Sequence, residues 1–323
     1  MIPPSRFQQC KEICYLERTV TFGKESLRAY DQKIFRRRVS RPPGIPDAAW
    51  NRRHFLFSRF DMGVEMDAEA WFEVTPENVA QFISSRIPCV GLVIDACCGV
   101  GGNSIQFARR RERVLGIDSS GKRIAMASKN ASIYGVKGRI DFVHADVNAY
   151  LQELGRLANA CFYCSPPWGG MECYNSEKVT LKTMPLNMEP IVSAALNKCG
   201  RVVLHLPRNL DVEDLVRFLS SLGVKYFEIE RIYYQDREPR LKFLLVYIAT
   251  DPYDSLFSLT RERNRQSISP YMGSGRAATI LANALIRANY LGRYSLAALQ
   301  SAYLPGVTVS PLTDIAQIPI HFS

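Results

Sequence analysis

Three apolar runs in this chain end on aspartate, one after another: Leu92-Val-Ile-Asp95, Val114-Leu-Gly-Ile-Asp118 and Phe142-Val-His-Ala-Asp146. Strand-length runs that alternate with segments of helical period bury their strands in a parallel sheet covered on both faces. Strands are expected near 92–97, 113–118, 139–145, 160–164, 201–206, 225–233 and 241–249, with helices near 102–110, 120–134, 147–155, 187–198 and 211–221. Leu241–Ala249 follows its predecessor after a short polar turn with no room for a crossover helix, so this last strand should run antiparallel. The expected fold is a seven-stranded, doubly wound α/β sheet.

Ligands of such sheets bind beyond the carboxyl ends of the strands. After Asp95 comes Ala-Cys-Cys-Gly99-Val-Gly101-Gly102-Asn103, a turn whose backbone can approach a ligand closely before a helix begins. Asp118 ends the next strand, where a carboxylate can accept both hydroxyls of a ribose, and Asp146 ends the third, where it or the adjacent backbone can read an adenine edge. Glycine turns serve nicotinamide, flavin and S-adenosylmethionine sites alike. Asp95 discriminates among them, because it would repel a pyrophosphate but suits the ammonium group of S-adenosylmethionine, which carries no phosphate. Any one of these aspartates could simply cap the helix that follows it. Their joint placement with the glycines favours the cofactor.

The fourth strand, Cys161-Phe-Tyr-Cys164, runs into Ser165-Pro166-Pro167-Trp168-Gly169-Gly170. Carbonyls beside proline cannot be absorbed into a continuing helix, so those of Ser165 and Pro166 are available to an amino group, and a planar substrate can lie on Trp168. A proline-stiffened loop with a buried indole is the alternative.

The net charge of +10 and pI near 9.2 favour a polyanionic partner. No apolar run approaches the roughly 18 to 20 residues that span a bilayer, and no signal-peptide pattern opens the chain, so an intracellular, non-membrane protein is expected. Cys161 and Cys164 form a C-x-x-C without a second ligand pair, which argues for reduced thiols and against a metal site.

Four regions are expected. Residues 1–48 form a basic N-terminal segment, with Lys33, Arg36, Arg37, Arg38 and Arg41 suited to nuclear import, RNA contact or simple solvation. Residues 49–75 are an aromatic-rich helical extension, in which Trp50, Phe57, Phe60 and Trp71 alternate with arginines and could stack bases or pack on the sheet. Thr75-Pro76-Glu77 opens a helix with Thr75 as cap, and residues 76–250 form the α/β domain. Residues 251–323 form a partly helical tail.

Five blocks in order, Leu56-Phe-Ser-Arg-Phe-Asp61, Trp71-Phe-Glu-Val-Thr-Pro-Glu77, Asp95 through Phe107, Ser165 through Gly170 and Leu206-Pro-Arg-Asn209, resemble the trimethylguanosine synthase family of RNA cap hypermethylases. The resemblance covers about Trp50 to Ala249 and implies a class I, Rossmann-like methyltransferase fold using S-adenosylmethionine without a metal. It implies methylation of the exocyclic 2-amino group of a 7-methylguanosine cap, to dimethyl and trimethylguanosine caps, on small nuclear, nucleolar or other capped RNAs, in the nucleus or nucleolus with the cytoplasm as the alternative, and ribonucleoprotein partners reached through the basic N-terminal or C-terminal segments. By position, Phe57, Thr75, Asp95, Gly99, Gly101, Asn103, Asp118, Asn130 and Asp146 would surround the cofactor. Ser165 and Pro166 would hold the amine, and Trp168, Tyr174, Arg208, Asn209 and Lys242 would bind the cap. The chain departs from the family pattern at Met171-Glu-Cys-Tyr174, which is one residue longer, and at Asp47-Ala-Ala49, which lacks a basic residue. Amino-methylation of adenine or glutamine, and a cap-binding module without catalysis, are the competing readings. Direct in-line transfer needs no general base, so His54, His144 and His205 are expected to be packed or surface residues.

Overall fold

The computed structural model describes residues 14–23, 39–87, 91–110, 113–157, 159–169, 176–235 and 238–250. Their organising element is one eight-stranded sheet. In chain order the strands are β1 (Cys14–Gly23), β2 (Leu92–Ala96), β3 (Arg113–Asp118), β4 (Ile140–His144), β5 (Ala160–Cys164), β6 (Arg201–Pro207), β7 (Tyr226–Gln235) and β8 (Pro239–Ala249). They lie in the order β1-β7-β8-β6-β5-β2-β3-β4. β8 runs antiparallel to both β6 and β7, as its short connection requires, and every other pairing is parallel. The strand order reverses between β2 and β5, which pair with Asp95 opposite Tyr163 and Ala96 opposite Cys164. In a sheet of this kind that switch point is where a ligand crevice opens.

The eighth strand corrects the seven-strand expectation. Cys14–Gly23 was read as part of a basic segment, yet it pairs in parallel along the whole length of β7, from Cys14 opposite Tyr226 to Gly23 opposite Gln235. Its residues alternate, Leu16, Val20 and Phe22 against Glu17, Thr19 and Thr21, and that period-two signal was outweighed by the charge run after it. Lys33, Arg36, Arg37 and Arg38 lie outside the described residues, as do Tyr174 and the 251–323 tail.

Helices cover both faces. α4 (Glu77–Arg86), α5 (Gly102–Arg109) and α6 (Gly121–Ile133) lie on one side, and α7 (Val147–Glu153), α8 (Met188–Cys199) and α9 (Val212–Ser221) on the other. Strand residues divide by alternation. Ile94, Phe162, Leu204 and Val246 join the second layer, while Val93, Tyr163, Val203 and Leu245 join the first.

The 49–75 extension is a series of single turns, α1 (Asp47–Trp50), α2 (Arg53–Leu56), a 3-10 turn at Phe60–Met62 and α3 (Ala70–Glu73). Its aromatics pack. Trp50, Phe60 and Trp71 contact one another with ring centroids 5.4 to 5.9 Å apart, and Phe60 and Trp71 are buried. Arg53 lies 4.4 Å over the Trp50 ring and bonds Asp61, so the interleaved arginine belongs to the same packing. Base stacking is therefore not the use made of Trp50, Phe60 and Trp71.

Candidate active site

The turn after β2 is built for close approach. Cys97 adopts φ +60°, Gly99 +54° and Gly101 +88°, so the chain passes three times through a region side chains avoid. A Cβ on Gly101 would stand 3.2 Å from that of Ala127, because α6 packs against the turn there, whereas one on Gly99 would meet nothing within 4 Å. The turn is thus backed by a helix at Gly101 and open at Gly99. Cys97 is half-buried and Cys98 buried, and Cys97, Cys98, Cys161, Cys164 and Cys199 are thiols rather than disulfides.

Asp95 is 1% exposed, and one carboxylate oxygen, Oδ2, accepts the Ser104 hydroxyl. The other, Oδ1, has no hydrogen-bond partner among the described residues. Burial, and after it the negative charge of Asp118, push the carboxyl up to about 7 against the Ser104 hydrogen bond. A buried acid with an unused oxygen fits a cationic group, and no phosphate would tolerate it. Asp118 accepts from the Gly99 and Ser120 backbone N–H groups at 2.8 and 2.9 Å, so it holds the glycine turn to the end of β3. Asp146 is exposed and caps α7 by accepting from Ala149 N–H at 2.9 Å. Among the described residues no group of three or more His, Cys, Asp or Glu side chains is gathered as a metal site would need.

Three of the residues expected around the cofactor are buried. Asn130 is fully buried; its amide accepts from Glu65 N–H and donates to the carbonyls of Glu65 and Val100 at 2.9 to 3.0 Å. It ties the 56–75 segment to the glycine turn. Phe57, 1% exposed, packs on Tyr134 and close to Gly102. Thr75 does not cap α4, whose cap position is Pro76; its hydroxyl accepts from Asn103 Nδ2 at 3.2 Å.

Ser165, Pro166, Pro167 and Trp168 leave β5 directly beside the glycine turn. Trp168 is half-buried and touches both core layers; its indole N–H donates to the His205 carbonyl at 3.2 Å. One edge is anchored while part of the ring remains accessible. His205, which composition alone could not single out, lies behind this loop with Nδ1 3.1 Å from the Tyr163 hydroxyl and 3.4 Å from Ser165 Oγ.

Arg208 follows β6 and is exposed, and Lys242 of β8 is its neighbour, since Pro207 pairs with Phe243. The Lys242 ammonium lies 5.6 Å from the Tyr234 ring centre. Its pKa is lowered by burial first and then by the positive charges of Arg52, Arg240 and Arg208. Lys242 therefore lies within electrostatic reach of three other cations; Arg240 stands two residues before it on β8, and Arg52 comes from the distant extension, a relation with no sign in the sequence. Asn209 donates to the Ser176 carbonyl at 2.8 Å, anchoring this corner.

A family model described as RNA cap guanine-N2 methyltransferase matches residues 90–251. The trimethylguanosine synthase of Schizosaccharomyces pombe is 35% identical over 194 residues, covering 57% of this chain and 81% of that protein. The Saccharomyces cerevisiae trimethylguanosine synthase is 34% identical over 177 residues, 52% of this chain and 56% of that one. A solved structure from Porphyromonas gingivalis W83, assigned as a methyltransferase, superimposes with TM-score 0.50 at 16% identity, over 62% of this chain and 48% of that one, and supports the fold alone. The five sequence blocks, the sheet order and these matches agree, and the chain belongs to the RNA cap guanine-N2 methyltransferase family.

Proposed function

We propose that this chain methylates the 2-amino group of the 7-methylguanosine cap of small nuclear and nucleolar RNAs, working in the nucleus. In this reading the guanine stacks on Trp168, the Ser165 and Pro166 carbonyls hold its amine, and Arg208 and Lys242 meet the cap phosphates. The observation that carries the reading is one juxtaposition. The proline-stiffened Ser165–Trp168 loop leaves β5 next to the turn from β2, whose buried Asp95 retains an unpartnered oxygen.

S-adenosylmethionine, held through Asp95, Asn103 and the Gly99–Gly101 backbone, supplies an electrophilic methyl group. The chain's own residues do the rest. The Trp168 face attracts the positively charged 7-methylguanine by a cation–π term of about 1 to 2 kcal/mol, and unmethylated guanine forgoes it. Carbonyls accepting the amine hydrogens turn its lone pair outward, and holding that amine in line replaces a bimolecular encounter with an oriented one. Lys242 and the three cations within its reach suit the triphosphate bridge, whose charge would relieve their mutual repulsion. Asp118 and Asn130 act at one remove, keeping the glycine turn and the 56–75 segment in place.

Transfer of tritiated methyl groups to a 7-methylguanosine dinucleotide cap, its unmethylated counterpart, an adenine oligonucleotide and a glutamine peptide tests the reading. The methylated cap should be preferred over the unmethylated one by about 5- to 30-fold, the equivalent of the cation–π term. Transfer to adenine or glutamine, or equal rates on both caps, would overturn it, and binding without transfer would indicate a cap-binding module.

A further inference from the structure

His205 touches both ends of the Ser165–Trp168 loop. Its Nδ1 meets Tyr163 and Ser165, its backbone carbonyl takes the Trp168 indole N–H, and its ring meets that indole edge-on with centroids 5.3 Å apart. Phe243 of β8 closes the other side of the ring at 4.0 Å. Tyr163 stands opposite Asp95 in the β2–β5 pairing, and Thr75 accepts from Asn103. Hydrogen-bonded side chains therefore run Tyr163, His205 and Ser165 on the proposed guanine side, beginning at the residue paired with Asp95.

We propose that His205, paired with Tyr163, is a positioning residue for methyl transfer that fixes the Ser165 end of the loop to β5 and β6. This rests on the reading of Ser165 and Pro166 as the amine holders. Tyr163 makes the shorter contact, and with Nδ1 as the unprotonated nitrogen its hydroxyl donates there. The three-way junction then sets both the rotamer of Ser165 and the direction of the chain entering Pro166. Burial pushes the imidazole down to about 3, so the ring stays neutral at working pH and is no proton carrier. Nε2 is buried without a hydrogen-bond partner among the described residues. A position needing only volume would be better filled by phenylalanine, since a buried polar atom left unpaired is costly.

Three variants separate positioning from packing. His205→Phe keeps a ring and removes the acceptor, and Tyr163→Phe removes the same bond from the other side. His205→Asn restores an acceptor where Nδ1 stood but leaves a smaller side chain. Both Phe variants should lose kcat by about tenfold on the 7-methylguanosine dinucleotide, the worth of one net hydrogen bond. KM for the cap and calorimetric affinity for S-adenosylmethionine should stay within about twofold. His205→Asn should recover kcat although its melting temperature is the lowest of the three, an order that a packing role cannot produce. Wild-type kcat in both Phe variants, or kcat that simply follows melting temperature, overturns the proposal. So does a pH inflection in kcat that His205→Phe abolishes, because His205 would then exchange a proton. A wild-type chain inactive on the methylated cap sinks the cap reading and this proposal with it, whereas an active one unharmed by these substitutions sinks the positioning role alone.

Discussion

Replacing Asp95 with asparagine should stabilise the ligand-free protein at neutral and alkaline pH while removing its response to S-adenosylmethionine. Asp95 is 1% exposed, and its carboxyl is pushed from 3.8 up to about 7 by burial first and by the Asp118 charge next, with the Ser104 bond acting the other way. Between those two pH values the folded protein holds a proton that the unfolded chain has released, so the contribution of this group to stability is greatest below pH 3.8 and is lost as pH rises through 7. A gap of roughly three units, at about 1.4 kcal/mol each, puts the cost of the ionised acid near ~4 kcal/mol at pH 8 as an upper bound. Asparagine has no such cost, and its oxygen can still accept from Ser104. At about 2–4 °C per kcal/mol for a folded unit of this size, the variant should melt several degrees higher at pH 8. The gain should shrink to less than about half by pH 5, where the wild-type acid is protonated. Thermal melts of both proteins from pH 5 to 8, with and without S-adenosylmethionine, read all of this. No gain at pH 8, or the same gain at both ends, would refute the burial argument. A retained ligand-induced shift in the variant would refute the role given to Oδ1.

Trp168→Ala should lower turnover on the methylated cap by about 5- to 30-fold or more, with calorimetric affinity for S-adenosylmethionine unchanged. Arg208→Ala should raise KM for a triphosphate-bridged cap far more than for the 7-methylguanosine nucleoside, with the difference shrinking in high salt. Asn130→Ala removes three buried hydrogen bonds and should cost about 3 kcal/mol, visible as a lower urea midpoint; loss of activity without loss of stability would mean that Asn130 faces a ligand after all.

The β2–β8 core was legible in the sequence because each strand there is a compact apolar run and each helix carries its own period; the antiparallel β8 followed from the length of one turn. β1 was not, because its partner β7 lies about two hundred residues away and the alternation of Leu16, Val20 and Phe22 says nothing of that partner. The cofactor turn and the proline loop were legible for a related reason: glycines and prolines announce unusual backbone. Asn130, Phe57 and Thr75 show the opposite limit. Sequence placed them near the cofactor but could not foresee their burial or where the hydrogen bonds of Asn130 and Thr75 end. The cation group shows the same limit, because Arg52 comes within electrostatic reach of Lys242 only once the extension is docked beside β8.

A polar clamp holds the extension in place. Glu77 at the start of α4 accepts from Ser58 N–H at 2.6 Å, the Ser58 hydroxyl at 3.0 Å and the Tyr134 hydroxyl at 2.7 Å, and pairs with Arg109 at 3.2 Å. Arg59 reaches the Ile133 carbonyl at 2.9 Å, and Arg123 binds Asp67, Glu69 and Glu73 together. Single helical turns of four residues cannot stand alone, so this polar clamp and the buried Leu56, Phe57 and Phe60 are what order them. The Leu56–Asp61 block therefore works as a joint. By fixing α2 against α4 and α6 it holds Arg52 near Lys242 and Phe57 against Gly102 of the glycine turn, so a loosened joint should weaken affinity for S-adenosylmethionine and for a triphosphate-bridged cap together, and a loss confined to one of them would refute the shared role.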